Sequence, residues 1–284
     1  ASSDTMVYGD TPPTITPIYT GLKAGDTAPA TPPTCSTTAT NTSDVGTYPS
    51  SCSGAADDNY TITYASGEVE VTPAILSVNA VAASKVLGAN DPNFNYTLSG
   101  FKNGEDATSA GVTGAASCTR TAGETIAGNP YNITCSPGTL AATNYTFTTG
   151  NTAKFTIVYA TTGICYGGPG HTILQPINPD GTSVFKLKST VPAKFRVCDA
   201  FGNSIGTPGV VTSFKLVKIV YGLETTDLDV IPDSTTPDLA FRWSASDQQW
   251  IFNINTKGLN AGRTYYYDIT LNDGSHILFH FGLK

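Results

Sequence analysis

Six cysteines, three histidines, an acidic run and a cluster of aromatic residues are the side chains in this 284-residue sequence with the types needed for covalent, metal or stacking chemistry. The cysteines are Cys35, Cys52, Cys118, Cys135, Cys165 and Cys198. Cys35 to Cys52 and Cys118 to Cys135 are both separations of 17 residues. Equal spacing in two places predicts two equivalent local disulfides, and elimination pairs Cys165 with Cys198. Each short loop is worth about 3 kcal/mol on the chain-entropy account, and bridges of this kind imply an oxidising compartment. A structural zinc site needs close pairs such as C-x2-C, and the sequence has none.

The histidines are His171, His276 and His280. On one strand His276 and His280 share a face but stand about 13 Å apart. That is too far for one zinc with bonds of about 2 Å. Neither a Gly-x-Ser-x-Gly elbow nor an H-E-x-x-H motif accompanies them. Gly167 to Gly170 lack the Lys-Ser/Thr ending of a phosphate loop. No catalytic, cofactor-binding or metal residue is assigned, and the chain reads as no enzyme. Glu224, Asp227, Asp229, Asp233 and Asp238 offer oxygens of the kind Ca²⁺ takes, without the regular ligand spacing of a calcium loop. A solvated acidic loop is the favoured reading, and calcium stays open. Trp243 and Trp250 alternate with other apolar residues and read as core. Of Tyr265, Tyr266 and Tyr267, at least one must face outward on a strand, so the three form a candidate ligand patch. An isopeptide crosslink at Lys194 would need a buried neutral lysine; alternation places Lys194 opposite the apolar face.

The scaffold for these residues follows from composition. Charged residues are 13% of the chain, about half the usual share, and hydrophobic residues 39%. Threonine, glycine, proline and tyrosine are abundant while charge is scarce, which argues against coiled coils and helical repeats. The aromatic share of 10% argues against disorder. An all-β, turn-rich chain is expected. The net charge of −7, without basic clusters, excludes a nucleic-acid binder. No apolar run is long enough to insert into a membrane. Ala1-Ser2-Ser3-Asp4 form no signal peptide, so a mature form or a fragment is expected.

An internal repeat dominates the first half. Val7-Tyr8-Gly9-Asp10 aligns with Val86-Leu87-Gly88-Ala89, and Tyr19-Thr20-Gly21-Leu22-Lys23-Ala24-Gly25-Asp26 with Leu98-Ser99-Gly100-Phe101-Lys102-Asn103-Gly104-Glu105, both at an offset of 79. Asn59-Tyr60-Thr61-Ile62-Thr63 aligns with Asn144-Tyr145-Thr146-Phe147-Thr148 at 85. In each unit, alternation over Tyr60 to Tyr64 and over Val69 to Val71 reads as a hairpin. The second repeat opens with an apolar strand, Ile75 to Ala80, and residue 80 corresponds to Ala1. The first repeat is therefore expected to lack its first strand. Either the chain is a piece of a longer array, or another segment supplies that strand by β-augmentation.

These units resemble the MBG-type (YGX) repeats of large bacterial adhesin-like surface proteins. The residues that carry the resemblance are Val7-Tyr8-Gly9, Gly21 to Asp26, Gly46-Thr47-Tyr48, Asn59 to Ile62 and Val69 to Ala74, with Ser84 to Gly88, Ser99 to Glu105, Asn144 to Phe147 and Phe155 to Ala160 in the second copy. Leu87 departs from the tyrosine usual there, and the Thr-Pro-Ala exit is lost at Val158-Tyr159-Ala160. The resemblance implies tandem modules in extracellular stalks.

From about residue 161 the pattern becomes closely spaced strands: 183–187, 190–198, 212–220, 239–243, 249–255, 263–272 and 275–283. Asn272-Asp273-Gly274 is a strong hairpin turn. Ser189-Thr190-Val191-Pro192-Ala193-Lys194-Phe195-Arg196, with Asp199 to Asn203, Gln249 to Asn253 and Leu271 to Ser275, resembles the PxKF family. That resemblance implies an extracellular C-terminal module with no assigned activity. The expected organisation is an MBG-like repeat over 1–74 that lacks its first strand, a second over 75–160, and a PxKF-like antiparallel β-sandwich over 161–284. The repeats are expected to be small β-rich folds, β-grasp-like or Ig-like. The expected role is a non-enzymatic stalk segment of a large secreted or cell-surface bacterial protein. Two alternatives stand beside it: a filament subunit completed by strand exchange, and an adhesion module for a glycan or a host or cell-surface protein. Expected partners are such ligands or neighbouring copies of the chain.

Overall fold

A computed structural model describes residues 1–237 and 240–284. Asp238 of the acidic run and Leu239 of the strand expected at 239–243 lie outside the described residues. The described chain is all-β, with one 3₁₀ turn at Ile126–Gly128. It divides into two compact units. The first holds Ala1–Ala82, Phe94–Arg120 and Ile133–Ala153; the second holds Ala83–Asn93, Thr121–Asn132 and Lys154–Lys284.

In the first unit the strands are β1 (Asp4–Val7), β2 (Thr34–Thr37), β3 (Gly46–Ser53), β4 (Gly67–Thr72), β5 (Ala74–Ala80), β7 (Tyr96–Ser99), β8 (Ser117–Arg120), the latter part of β9 (Tyr131–Ser136) and β10 (Tyr145–Thr149). They form a four-stranded sheet, β1-β4-β3-β2, a three-stranded sheet, β10-β5-β7, and the antiparallel pair β8-β9. Period-two alternation explains the strands. Val69 and Val71 of β4 are buried while Glu68 and Glu70 face water, and Ala74, Leu76 and Val78 of β5 are fully buried while Ile75 is exposed. Burying Leu76 and Val78 contributes roughly 1.5–3 kcal/mol each. The core around Leu76 also takes in Met6, Tyr8, Ile15 and Tyr145.

In the second unit β6 (Ala83–Val86) pairs parallel with β11 (Ala153–Val158), as β1 pairs parallel with β4. The expected hairpin does not form in either repeat. β10 and β11 join different sheets, each through a parallel partner, so the chain changes sheet at Gly150 instead of folding back. In the first repeat residues 60–66 are in no strand, so of the two expected arms β4 alone is laddered.

The remaining strands are β12 (Ile164–Cys165), β13 (Gly168–Pro169), β14 (Ile173–Leu174), β15 (Val184–Phe185), β16 (Thr190–Phe195), β17 (Val211–Tyr221), β18 (Glu224–Val230), β19 (Arg242–Ser244), β20 (Gln249–Asn255), β21 (Thr264–Leu271) and β22 (His276–Leu283). Two sheets, β14-β16-β20-β19 and β15-β22-β21-β17-β18, contribute to a shared core. The Phe214 ring lies 5.1 Å from Phe241, 5.0 Å from Phe252 and 5.7 Å from Tyr267. The acidic run is not a loop: Glu224, Asp227 and Asp229 lie on β18, an edge strand against β17. Alternation hid it because nearly all of its residues face water.

Candidate functional site

Unit-one chemistry centres on a carboxylate shared by two phenols. Tyr8, at the end of β1, and Tyr145, at the start of β10, are both buried and meet edge to face at 5.4 Å. Tyr8 donates its hydroxyl to Glu105 Oε1 at 2.6 Å, and Tyr145 donates to Glu105 Oε2 at 2.5 Å. The Tyr145 hydroxyl also accepts the Lys102 N–H at 2.9 Å. Burial, then the bond to Glu105, pushes Tyr145 up to about 12. The bond to Glu105 is the first cause holding Tyr8 above the ordinary phenol range. Gly9 turns at φ +85°, and a Cβ there would collide with the Lys102 side chain. Lys102 pairs with Asp10 at 2.9 Å. Asn144 completes the clasp by donating to Asp44 and accepting from the Val45 N–H. The turn Tyr8-Gly9-Asp10 of one repeat is thus seated on the Phe101–Glu105 loop of the next.

The structure joins Cys35 to Cys52, Cys118 to Cys135 and Cys165 to Cys198. The first two bridges link residues directly opposite in the β2-β3 and β8-β9 ladders. The third ties the segment entering the C-terminal region to the residue after Val197.

In the second unit, His171, Ser275 and Asp273 come together, an arrangement that sequence reading did not anticipate. His171 Nε2 lies 2.8 Å from Ser275 Oγ, and Ser275 Oγ donates to Asp273 Oδ1 at 2.5 Å. A hydrolytic triad needs the imidazole between serine and carboxylate, so that it accepts the serine proton. Here the serine stands in the middle and its proton faces the aspartate. The imidazole is left as the donor to Oγ, not its base. Asp273 also accepts the Tyr159 N–H, while the Tyr159 hydroxyl donates to Asn272. Burial, then the Asp273 charge, pushes Tyr159 up to about 12. The Asn272–Ser275 hairpin is therefore an anchor for the end of the second repeat.

The three tyrosines do not form a patch. Tyr265 and Tyr267 are 1% exposed and belong to the core, because they share the inward face of β21 with Ile269 and Leu271. Tyr266 faces outward, between its ladder neighbours Lys218 and His280. His280 stacks on it at 4.4 Å, and the Lys218 ammonium sits 4.8 Å from the ring centroid. These neighbours stand on opposite sides of β21, so both ring faces are occupied. His276 bonds Asp268 at 2.9 Å. Lys215 pairs with Asp229 at 2.6 Å, and Asp233 accepts from Asn255. Among the described residues no three His, Cys, Asp or Glu side chains converge as a metal site. Lys194 pairs in register with Leu174 and Ile251. The lysine that is buried is Lys85, with its side chain 5% exposed, held by Asp91 at 2.8 Å and Glu124 at 2.5 Å. Burial works against its charge, but the two carboxylates outweigh that and raise its pKa. It is an ion pair, not a neutral nucleophile.

Residues 1–70 and 76–156 each match the MBG domain, YGX type, and together cover just over half of the sequence. The chain belongs to the MBG domain family. No curated protein matches it. Similar solved structures include cadherin-like domains 1 to 4 of zebrafish RET, at 8% identity and TM-score 0.22, covering 85% of this chain and 58% of that one. Another is the Bacteroides ovatus protein SGBP-B with a mixed-linkage heptasaccharide, at 10% identity and TM-score 0.17, covering 86% and 54%. A third is the three N-terminal domains of the bacteriophage RB49 outer capsid protein Hoc, at 11% identity and TM-score 0.24, covering 87% and 81%. The chain spans a little over half the length of the first two. At these scores the likenesses carry no argument about function.

Within the MBG repeats, the residues that sequence reading missed are Glu105 and its two phenols. A signal was present. Each repeat pairs a tyrosine with an acid at matched offsets, Tyr60 with Asp26 and Tyr145 with Glu105, and both pairs bond at 2.5 Å.

Proposed function

We propose that the chain is a non-enzymatic, extracellular stalk segment of a large secreted or cell-surface bacterial protein. In this reading residues 1–74 and 75–160 are successive MBG modules and 161–284 are a PxKF-type sandwich. The observation that carries it is the clasp of Tyr8, Glu105 and Tyr145. It spends a repeat's distinctive residues on fixing one module to the next. Three disulfides support an oxidising, extracellular setting. The arrangement of His171, Ser275 and Asp273 supports the absence of hydrolysis, and the covered faces of Tyr266 argue against a sugar-stacking platform there.

Antibodies raised against the 284 residues test the assignment on intact producing cells. A stalk predicts surface labelling without permeabilisation, and deletion of these residues from the parent protein shortens its projection while leaving secretion intact. Labelling only after lysis overturns the extracellular reading. Glycan-array binding lost in Tyr266→Ala would replace the stalk with a binding module.

A further inference from the structure

The first repeat keeps the frame of a strand that it does not contain. In the second repeat β5 lies between β10, to which it is parallel, and β7, to which it is antiparallel. By the repeat alignment, β7 corresponds to residues 17–20 and β10 to residues 60–64. In the first repeat those segments form no ladder and line a groove of about 280 Å³. The frame at its end is the same in both repeats. Ala80 donates its N–H to Asn151 O, and the amino group of Ala1 donates to Ala65 O at the matching place. Val81 N–H donates to Asn95 O, as Ser2 N–H donates to Thr16 O. Between the flanking segments the second repeat buries Ala74, Leu76 and Val78 completely. The first repeat instead leaves Ile18 68% and Tyr64 48% exposed.

A second feature sits beside the groove. Tyr60 donates to Asp26 Oδ2 at 2.5 Å and accepts the Lys23 N–H at 2.9 Å. This reproduces Tyr145, Glu105 and Lys102 bond for bond. The second repeat's carboxylate also receives Tyr8 from the preceding repeat. Among the described residues Asp26 has Tyr60 as its one side-chain donor.

We propose that this face of the first repeat is the acceptor for one further MBG repeat, other than the two in these residues. Its last strand runs on, as β4 runs through Pro73 into β5, into an extended segment with small or aliphatic residues at alternate positions. That segment enters the groove parallel to residues 60–64 and antiparallel to residues 17–20. Its Tyr-Gly turn brings a phenol to the second oxygen of Asp26. A second copy of the 284 residues cannot supply these parts. Its Gly9 turn is packed on Lys102, its Gly88 turn is packed on Phe201, and its β5 is buried. Backbone pairing gives such a strand its affinity, and its alternate side chains give it specificity.

Hydrogen exchange on the full 284-residue chain tests this, with a synthetic peptide of the sequence Pro73–Ala80 as probe. Saturating peptide is expected to slow exchange at residues 18–20 and 60–65 by about tenfold or more. The same peptide carrying L76D and V78D is expected to change nothing. Because ordering a free peptide weakens its binding, a second arm joins the sequence Pro73–Asn79 directly ahead of Ala1. The fused chain is expected to protect the same amides without added peptide, and its Asp-substituted version to leave them open. Protection in either arm that the Asp substitutions abolish supports the acceptor. Unchanged exchange in both arms, or equal protection by the Asp-substituted segments, overturns it. Protection that rises with chain concentration alone would overturn the choice of occupant in favour of a second copy. The stalk reading stands or falls separately, since the clasp of Tyr8, Glu105 and Tyr145 does not use the groove.

Discussion

The clasp makes a quantitative demand on one oxygen atom. Tyr145→Phe keeps the ring, which meets Tyr8 at 5.4 Å and Phe101 at 5.8 Å, and removes only the hydroxyl. Two bonds go with it: the one to Glu105 at 2.5 Å and the one from Lys102 N–H at 2.9 Å. A hydrogen bond to a charged acceptor is worth about 1.5–3 kcal/mol, and a buried donor left unsatisfied costs about 1–3 kcal/mol. Glu105 keeps Tyr8 and is only half-buried, so water replaces part of the loss. The expected cost is about 2–3 kcal/mol, or roughly 7–11 °C in Tm for a unit of this size. The molecule carries its own control. Tyr60→Phe removes the same two bonds, to Asp26 and from Lys23, at an exposed site where water replaces both, so little change is expected there. Urea unfolding followed by circular dichroism, with calorimetry for Tm, compares the two variants. Equal shifts, or a Tyr145→Phe effect under about 0.5 kcal/mol, the size of an ordinary surface change, would refute the idea that the clasp couples the repeats.

Alkali should loosen the fold. Tyr145 and Tyr159 are pushed up to about 12 and Tyr8 is raised. Above about pH 10 the unfolded chain loses phenol protons that the folded chain retains. Their stabilisation is therefore complete below about pH 10 and declines as pH rises toward 12. Tyr145→Phe should flatten that decline in pH-dependent urea unfolding. Replacing Cys165 and Cys198 together by serine removes a bridge spanning 33 residues and should cost about 4 kcal/mol, against about 3 for either bridge spanning 17. Equal or inverted losses would count against the loop-entropy account. Intact-mass measurement should find all six thiols oxidised and no water lost, since Lys85 is charged between Asp91 and Glu124. A mass short by one water would establish an isopeptide there. A serine-directed phosphonate probe should leave Ser275 unlabelled, because its proton faces Asp273; stoichiometric labelling would reopen hydrolysis.

Some of this was legible in the sequence, for physical reasons. Alternation over Glu68–Thr72 and Thr264–Leu271 reports one wet and one dry face, and those strands formed. The twin cysteine spacing was readable because a cross-strand bridge repeats wherever the hairpin repeats. Alternation could not say which sheet a strand joins. Tyr145–Thr149 and Ala153–Val158 look locally like hairpin arms, yet each takes a parallel partner distant in sequence. The edge strand Glu224–Val230 read as a loop because nearly all of its side chains are exposed. The three tyrosines illustrate the limit from the other side. Period two predicts that one or two of them face out, but only the register of Lys218 and His280 with Tyr266 shows that its ring faces are already taken.

The placement of the first two bridges follows from what short strands lack. β2 and β8 have four residues each, and neither buries one of them fully. Strands this short and this wet gain little from apolar burial, and β2 lies at an edge of its sheet, where one side of the ladder has no partner. Each nevertheless carries a cysteine directly opposite a cysteine of the longer strand beside it. The covalent bond supplies what burial cannot, and it does so where fraying would otherwise begin. The same logic places the Tyr8, Glu105 and Tyr145 clasp where the end of one repeat must hold the next. Charge is scarce in this chain and helices are absent from its described residues apart from one 3₁₀ turn, so disulfides and shared carboxylates take the place of the larger core that modules this small do not build.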